Sequence, residues 1–351
     1  MRLVLCLLLL LWIFHCIFVN EARIGRSPEE WARLSRMEQW QQGWSNGPSR
    51  LAHTVWHAQA GWMALSLVYM GITLLLGVMR WRMALRVQGF TLSFGRAAEI
   101  SLVAQFFNAF LLGSTGGDLI KAYYAAREHP RRKTDAVVTV FVDRLIGLWS
   151  MLIFTGVMMI PNAKVLFASR GQALGCLLVL GMLAVGSVMA ILAFWGGVSN
   201  RWSGARQWLR KLPAGARLEK SLESCRRFGR EPFFVMRAVL VSMALNVVCV
   251  LQWQAVGRAL GLEIDPLLLF AVVPLVICVA ALPITPSGLG VRENLFLIML
   301  NNAATATPAL TLSLLAYAGF LAWSLVGGAV YLLLKDKHHL TGSELTKSVE
   351  D

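Results

Sequence analysis

The sequence predicts an all-α protein, a polytopic transmembrane helix bundle with about 7–9 membrane segments. Hydrophobic residues make up 57% of the 351 residues and charged residues only 15%, whereas soluble domains average about 45–50% and 25%. Several apolar runs reach the ~20 residues that cross a bilayer. Glycines interrupt two of these runs, and charged residues follow directly. We therefore expect one re-entrant broken helix. The second interrupted run is either another re-entrant helix or a pair of spans.

The N-terminal residues predict a membrane anchor and an interfacial segment. Residues 1–19 are apolar behind Arg2 and lack a small-x-small cleavage pattern, so we interpret them as a transmembrane helix and leave cleavage as a signal peptide open. Residues 20–54 are polar and rich in tryptophan, and Ser27-Pro28 followed by two acids predicts a helix start. We expect this extracytoplasmic segment to lie at the membrane interface.

Residues 55–335 form the predicted transmembrane domain, and residues 336–351 a polar cytoplasmic tail. Arg80-Trp81-Arg82 follows the first span and is interpreted as an interface anchor. The second break, in residues 283–293, leaves open whether residues 266–302 span twice or form a hairpin. In chain order, the apolar segments are residues 55–79, 97–112, 134–160, 174–195, 232–256, 266–282, 294–302 and 310–334.

The distribution of basic residues predicts the topology. Three loops, residues 80–96, 121–133 and 201–230, carry four, five and nine Lys or Arg residues, and the positive-inside rule puts all three in the cytoplasm. That is possible only if residues 97–117 enter and leave the membrane on one side. This re-entrant hairpin leaves 22 of the 33 Lys and Arg residues inside, with both termini cytoplasmic.

Four motifs occur in order along the chain. They are Arg80-Trp81, Asn108 with Gly116-Gly117-Asp118-Leu-Ile-Lys121, Asp143-Arg144-Leu-Ile-Gly147, and Pro286-Ser-Gly288-Leu-Gly290-Val-Arg292-Glu293. Together they resemble the lysylphosphatidylglycerol synthase transmembrane region, a family of flippase-like integral membrane proteins. The resemblance covers nearly the whole chain and implies a polytopic bundle with lipid-translocating activity. The sequence departs from the family in having Leu112-Gly113-Ser114 where a proline is usual, and Lys121 where arginine is common.

Charged residues beside the breaks are the candidate site, because charge inside a bilayer is costly unless it faces a cavity or a partner. Asp143 and Arg144 are adjacent on a helix, so we expect one of them to meet a charge from another element, such as Asp118 or Glu293. The alternative is a buried ion-pair network that only sets helix register. The predicted translocation path comprises Asn108, Gly116, Gly117, Asp118, Lys121, Asp143, Arg144, Gly288, Gly290, Arg292 and Glu293, with Arg131, Arg132 and Lys133 attracting headgroups at the cytoplasmic mouth.

The leading hypothesis is a flippase-like carrier in the cytoplasmic membrane that moves an anionic phospholipid or polyprenyl-linked lipid between two broken helices. No enzymatic activity, cofactor, metal or nucleic-acid partner is expected. The full synthase of the family carries a soluble aminoacyl-transferase domain after its membrane part, whereas 17 residues follow Leu334 here. The alternatives are the membrane part of a phosphatidylglycerol lysyltransferase system, and a non-catalytic subunit that recruits a soluble enzyme through residues 196–231.

Overall fold

The computed structural model describes residues 15, 18, 19, 22, 27–110, 116–128, 132–194, 227–282, 291–300 and 306–333. Regular structure in this part of the chain is entirely helical, as the sequence predicts. The helices are α1 (Pro28–Arg33), α2 (Arg36–His57), α3 (Ala60–Val87), α4 (Phe94–Phe110), α5 (Gly116–Glu128), α6 (Lys133–Met159), α7 (Ala163–Leu166), α8 (Arg170–Phe194), α9 (Pro232–Ala259), α10 (Pro266–Ala280), α11 (Val291–Met299) and α12 (Ala306–Leu333).

Five of these helices, α3, α6, α8, α9 and α12, are long and apolar enough to cross a membrane, and α10 is a shorter apolar helix. The chain is therefore a multi-pass membrane protein with an all-α bundle. Most of the predicted first helix, the loop between α8 and α9, and the tail at 336–351 lie outside the described residues.

The interfacial segment forms two capped helices. Ser27 and Glu30 make the reciprocal hydrogen bonds of a capping box at the start of α1, at the position that the sequence predicts. Met37, Trp40 and Trp44 of α2 remain exposed at spacings of three and four residues, as expected of a helix that places one face in lipid headgroups. The helix α2 includes Val55, where the sequence predicts the first long span to begin. The span begins instead at Ala60.

α3 extends eight residues beyond the predicted end at residue 79, and this corrects the interpretation of Arg80-Trp81 as an interface anchor. No glycine or proline lies between residue 79 and Gly89, and the φ of 77° at Gly89 ends the helix. There the N–H of Phe90 donates to the carbonyl of Leu85, and the N–H of Gly89 to that of Arg86, which is a Schellman motif. Arg80 consequently lies two turns inside the helix, and Trp81 is fully buried.

The helix ends beside the three basic loops lie together at one end of the bundle, here called the basic end. Phe228, just before α9, is buried in one cluster with Ala84 of α3 and Val138 of α6. The Arg82 guanidinium donates to the Leu92 carbonyl, and the Arg132 guanidinium lies over the Phe90 ring. This arrangement agrees with the prediction that all three loops share a side of the membrane.

α4 and α5 form an antiparallel hairpin whose open base lies at the basic end. At the base, Arg96 of α4 pairs with Glu128 of α5 at 3.1 Å. Near the tip, the N–H of Gly117 donates to Asn108 Oδ1 at 2.7 Å. A helix of 17 residues rises only ~25 Å, so the chain enters and returns at the same end, as a re-entrant segment does.

α10 and α11 form a second hairpin, and its base lies at the opposite end of the bundle, here called the far end. Asn162, after α6, donates to the Leu267 carbonyl near the start of α10. Gln172, near the start of α8, donates to the Met299 carbonyl at the end of α11. Both ends of the hairpin therefore share one side, which decides the alternative that the sequence left open in favour of the hairpin.

Candidate functional site

Five charged residues from three helices form the site at the first hairpin, here called the charge cluster. They are Arg80 of α3, Asp118 and Lys121 of α5, and Asp143 and Arg144 of α6. Lys121 lies within electrostatic range of the other four residues. Asp143 and Arg144 fall 10 and 11 residues after the start of α6, which places them ~15 Å from its beginning. The cluster therefore lies well inside the bundle.

The sequence places Asp143 in the site but does not identify its partner, which is Arg80. Arg80 Nε and Nη2 donate to the two Asp143 carboxylate oxygens at 2.7 and 3.3 Å, and Nη1 donates to Ser242 Oγ of α9 at 3.0 Å. Both side chains are mostly buried, with 12% and 7% exposed. This two-pronged pair joins α3 to α6, and the serine adds α9.

Gly147 makes room for the Arg80 guanidinium. A Cβ at this position would lie 2.7 Å from Arg80 Nη1, closer than nonbonded atoms approach without displacement. Gly147 follows Asp143 by one helical turn, so the guanidinium can lie against the backbone of α6 while it binds the carboxylate. The glycine of the Asp143-Arg144-Leu-Ile-Gly147 motif thus has a packing reason.

Asp118 is the partner of Arg144, as one of the sequence expectations proposed. Arg144 Nε lies 2.8 and 2.9 Å from the two carboxylate oxygens. Asp118 stands in the first turn of α5, where the positive end of the helix dipole favours a carboxylate. The Arg144 side chain is 51% exposed, so an incoming anion can reach its guanidinium.

Gly117 allows the two arms of the hairpin to touch. A Cβ there would lie 2.1 Å from the Ala104 carbonyl oxygen and 2.6 Å from Asn108. The close approach lets Asn108 bind the first-turn N–H of α5, and this contact holds Asp118 and Lys121 at a defined depth.

Lys121 makes no ion pair among the residues that the structure describes. Its ammonium lies 5.2 Å from the centroid of the Trp81 ring, a cation–π contact. The charge cluster therefore contains three cations and two carboxylates, and both carboxylates are bound to arginines. The surplus positive charge makes the cluster chemically suited to an anion.

Arg292 and Glu293, at the start of α11, form a second charged group, which consists of one cation and one carboxylate. Arg292 donates from Nε to Glu293 Oε1 and to Ser313 Oγ of α12, both at 3.0 Å. Its Cζ lies 4.6 Å from the centroid of the Tyr317 ring. Asp143 and Arg144 each pair with a residue of another helix, whereas Arg292 and Glu293 pair with each other. The Ser313 hydroxyl of the facing helix α12 also donates to Glu293 Oε1.

The two groups lie at different heights in the bundle. The charge cluster is level with Ser242 of α9, which binds Arg80. The second group is nearer to Gln252, whose amide donates to Ala316, the neighbour of Tyr317. Ten residues of α9 separate these levels, which is ~15 Å. The two charged groups are therefore separated along the bundle axis by roughly this distance.

Two polar side chains occupy the interval between the levels. Asn246 follows Ser242 by one turn of α9, and Ser150 follows Asp143 by two turns of α6. Both are buried, and Asn246 Nδ2 and Ser150 Oγ find no hydrogen-bond partner in the described protein. Buried polar atoms of this kind cost stability and mark a polar line along two packed helices.

The remaining predicted residues are less informative. Gly288, Gly290 and Arg131 lie outside the described residues. Arg132 pairs with Asp135 at 3.0 Å and therefore offers less free charge than predicted, while Lys133 is exposed at the start of α6. Sequence reasoning did not identify Arg80, Ser242 or Gly147 as site residues. The uninterrupted helix pattern up to Gly89 was the signal that could have placed Arg80 inside the bundle.

The fold and the charged hairpins define a class, that of multi-pass membrane proteins with opposed re-entrant helices and an intramembrane charge cluster. Residues 40–327 match the family described as lysylphosphatidylglycerol synthase TM region. The chain belongs to this family, which relates it to lipid handling. No curated protein matches the chain significantly.

Proposed function

We propose that the protein is a flippase-like carrier that moves an anionic lipid headgroup across the cytoplasmic membrane. The observation that carries this proposal is Lys121, an ammonium group that forms no ion pair with a carboxylate among the described residues, inside a cluster of surplus positive charge. A bilayer-embedded cation without an ion-pair partner is costly, and a lipid phosphate would supply the missing negative charge. The substrate class is an anionic phospholipid or a polyprenyl-linked lipid.

Entry of the headgroup is proposed from the basic end, beside α5 and α6, which carry Lys121 and Arg144. Lys121 and the exposed part of Arg144 would bind the phosphate, while Asp118 holds Arg144 in position when the site is empty. Arg80 would stay bound to Asp143 and keep α3, α6 and α9 in place. The polar line of Asn246 and Ser150 leads from there toward Arg292, which would receive the headgroup in the far half of the bundle.

The basic end is proposed to face the cytoplasm, following the positive-inside rule. Anionic lipids of the cytoplasmic leaflet would then gather near this end, because each Lys or Arg near the surface attracts them by about 1 kcal/mol. The proposed reaction is non-covalent and requires no catalytic residue. Finding lysylated lipid made by the purified chain would contradict this and favour the transferase alternative.

The test is lipid scrambling in liposomes. Wild type and the variant Lys121→Met are reconstituted with phosphatidylglycerol labelled at its headgroup with a fluorophore, and an impermeant quencher reports how fast label leaves the inner leaflet. We expect wild type to flip the lipid, and Lys121→Met to slow flipping at least about tenfold, the effect of ~1.4 kcal/mol of lost binding.

Lys164→Gln is the matched control, because Lys164 is an exposed lysine outside both charged groups. It should flip lipid at the wild-type rate. Equal rates for wild type and Lys121→Met would contradict the site assignment. Rates no faster than in empty liposomes, for both phosphatidylglycerol and a polyprenyl-phosphate lipid, would contradict the carrier proposal and favour a subunit that recruits a soluble enzyme.

A further inference from the structure

A cation, an aromatic ring and a cavity meet at the far end of the α3–α9 pair. The Arg258 guanidinium carbon lies 4.8 Å from the centroid of the Trp62 ring. The shallow, open cavity beside them is lined by Gln59, Gly61, Trp62 and Leu65 and measures about 380 Å³. The N–H of Gln59 donates to the Ala259 carbonyl at 3.0 Å, which ties the start of α3 to the end of α9 and so holds Arg258 near this cavity.

The end of α9 is built so that the Arg258 side chain is not needed for capping. The N–H of Leu262 donates to the Gly257 carbonyl and that of Gly261 to the Arg258 carbonyl. Gly261 has a φ of 70°, which completes a Schellman motif. The backbone thus satisfies its own last carbonyls, and the guanidinium points out of the helix end over Trp62.

Arg258 is exposed and forms no ion pair with a carboxylate in the described parts of the chain. Its contact to Trp62 orients the guanidinium without neutralising it. Of the two acids in the following loop, Asp265 accepts a hydrogen bond from the N–H of Leu267 and caps α10. An exposed, oriented and uncompensated guanidinium beside a cavity has the chemistry of an anion site.

The depth of Arg258 suits a lipid headgroup. It lies 26 residues after Pro232, which begins α9, or ~39 Å along the helix. The hydrocarbon core of a bilayer is about 30 Å thick and the whole bilayer about 40–45 Å. If α9 starts near one membrane surface, Arg258 therefore lies among the headgroups of the opposite leaflet.

We propose that Arg258, Trp62 and Gln59 form a second binding site, which takes the phosphodiester headgroup of an anionic lipid in the leaflet at the far end. The guanidinium binds two phosphate oxygens with its parallel N–H groups. The Trp62 ring holds the guanidinium from the side, and the Gln59 amide and the cavity accommodate the rest of the headgroup. The role of this site in receiving or releasing a transported headgroup rests on the proposed carrier function. Binding of a headgroup at the site does not depend on that function.

The competing explanation is that Arg258 and Trp62 only anchor two helix ends at the interface. An anchor of this kind contacts the headgroups of all surrounding lipids and is not expected to bind one headgroup in preference to another. Selection of phosphatidylglycerol over phosphatidylcholine, with dependence on the guanidinium, therefore distinguishes a site from an anchor.

The experiment is photo-crosslinking in liposomes with the full-length protein. Phosphatidylglycerol and phosphatidylcholine analogues that carry a photoreactive group near the phosphate are compared, and labelled peptides are mapped by mass spectrometry. We expect phosphatidylglycerol to label the peptides around residues 59–65 and 255–262 at least about fivefold more than phosphatidylcholine. Arg258→Gln should remove this preference, and Trp62→Phe, which keeps an aromatic ring, should retain most of it.

Arg170→Gln is the matched control, because Arg170 is also an exposed arginine at the far end, whereas the cation–π contact with Trp62 is made by Arg258. It should leave the labelling unchanged. Equal labelling by both lipids, or full labelling of Arg258→Gln, would overturn the proposal. Loss of labelling in the presence of submillimolar inorganic phosphate would also overturn it, since the site would then take a soluble anion.

The crosslinking result does not depend on transport. If labelling shows the expected preference but wild type flips no lipid, the headgroup site stands and the carrier proposal is wrong. If wild type flips lipid in a manner that requires Lys121 while labelling at the far end shows no preference, the carrier stands and the second site is wrong.

Discussion

Arg80 and Lys121 belong to one cluster but differ in whether a carboxylate neutralises them. Arg80 binds Asp143 through two hydrogen bonds and Ser242 through a third. The Lys121 ammonium lies over the Trp81 ring and forms no ion pair among the described residues. The first arrangement stabilises helix positions, and the second leaves charge available for a ligand. Changes at the two residues should therefore separate stability from transport.

The first prediction concerns the pair of Arg80 and Asp143. Removing one partner leaves the other charge buried and unpaired, which costs about 3–5 kcal/mol. We expect Arg80→Leu and Asp143→Leu each to lower the thermal unfolding temperature in detergent strongly. The unfolding temperature of the double variant should fall by clearly less than the sum of the two single decreases, because neither charge then remains buried without its partner. Additive losses would show that the two side chains are not energetically coupled.

The second prediction concerns Gly147. The added Cβ of Gly147→Ala would displace the Arg80 guanidinium, so we expect a lower unfolding temperature and slower lipid flipping. Gly181→Ala on α8 is the control, because a Cβ there meets no atom within 4 Å. It should leave both measurements unchanged. A Gly147→Ala protein as stable as this control would contradict the packing role.

At the scale of elements, the two hairpins differ in how their arms are held. The first is closed by an ion pair at its base and by a hydrogen bond between side chain and backbone near its tip. The second is held by neighbouring helices, through the amides of Asn162 and Gln172. Between the hairpins, α6 and α9 contribute the polar line of Ser150 and Asn246.

The third prediction tests this line. Asn246→Leu replaces a buried, partly unsatisfied amide by an apolar side chain of similar volume, and relief of the unpaired donor stabilises by about 1–3 kcal/mol. We expect a protein that unfolds at the same or a higher temperature but flips lipid at least about fivefold more slowly in liposomes.

The control for this change is Val247→Leu, an apolar substitution at the exposed neighbouring position of the same helix, which should flip lipid normally. Unimpaired flipping by Asn246→Leu would exclude Asn246 from the path. A large drop in unfolding temperature would show instead that the amide is needed for packing.

In the described part of the molecule, two opposed hairpins pack against the longer helices. α3 and α12 run from the far end to the basic end, and α6 and α9 run in the opposite direction. The hairpins enter from different ends, so each brings charge into the bundle from its own side. Paired interruptions of this kind are typical of transporter binding sites.

The fourth prediction tests this organisation by cysteine labelling in membrane vesicles. In a cysteine-free background, single cysteines at Gly95 and Arg127 should react with an impermeant maleimide from one side of the membrane. Single cysteines at Arg170 and Glu263 should react from the other side. We expect the first pair to be cytoplasmic, because it flanks basic loops.

Opposite sidedness for Gly95 and Arg127 would contradict the first hairpin. Reaction of the first pair only from outside the cell would contradict the proposed orientation. A second membrane protein of known orientation in the same vesicles supplies an independent control for their sidedness.

The sequence by itself determined the class, the first hairpin and four of the five residues of the charge cluster, all but Arg80. Apolar run length, the side preference of Lys and Arg, and the cost of charge in lipid are local or additive properties, so they can be read along the chain. The same reasoning identified Asp118 as a possible partner of Arg144. It could not choose between a hairpin and two spans for residues 266–302, because both leave the tail on the same side.

Only the tertiary structure decided the partners and the heights of the charged groups. Arg80 and Asp143 are 63 residues apart in the chain, and Arg80 and Ser242 are 162 apart. No local pattern encodes such distances, since they depend on which faces of α3, α6 and α9 pack together. The same holds for Arg258 and Trp62, and for Lys121, because the absence of an ion pair with any described carboxylate becomes visible only when the neighbouring helices are in place.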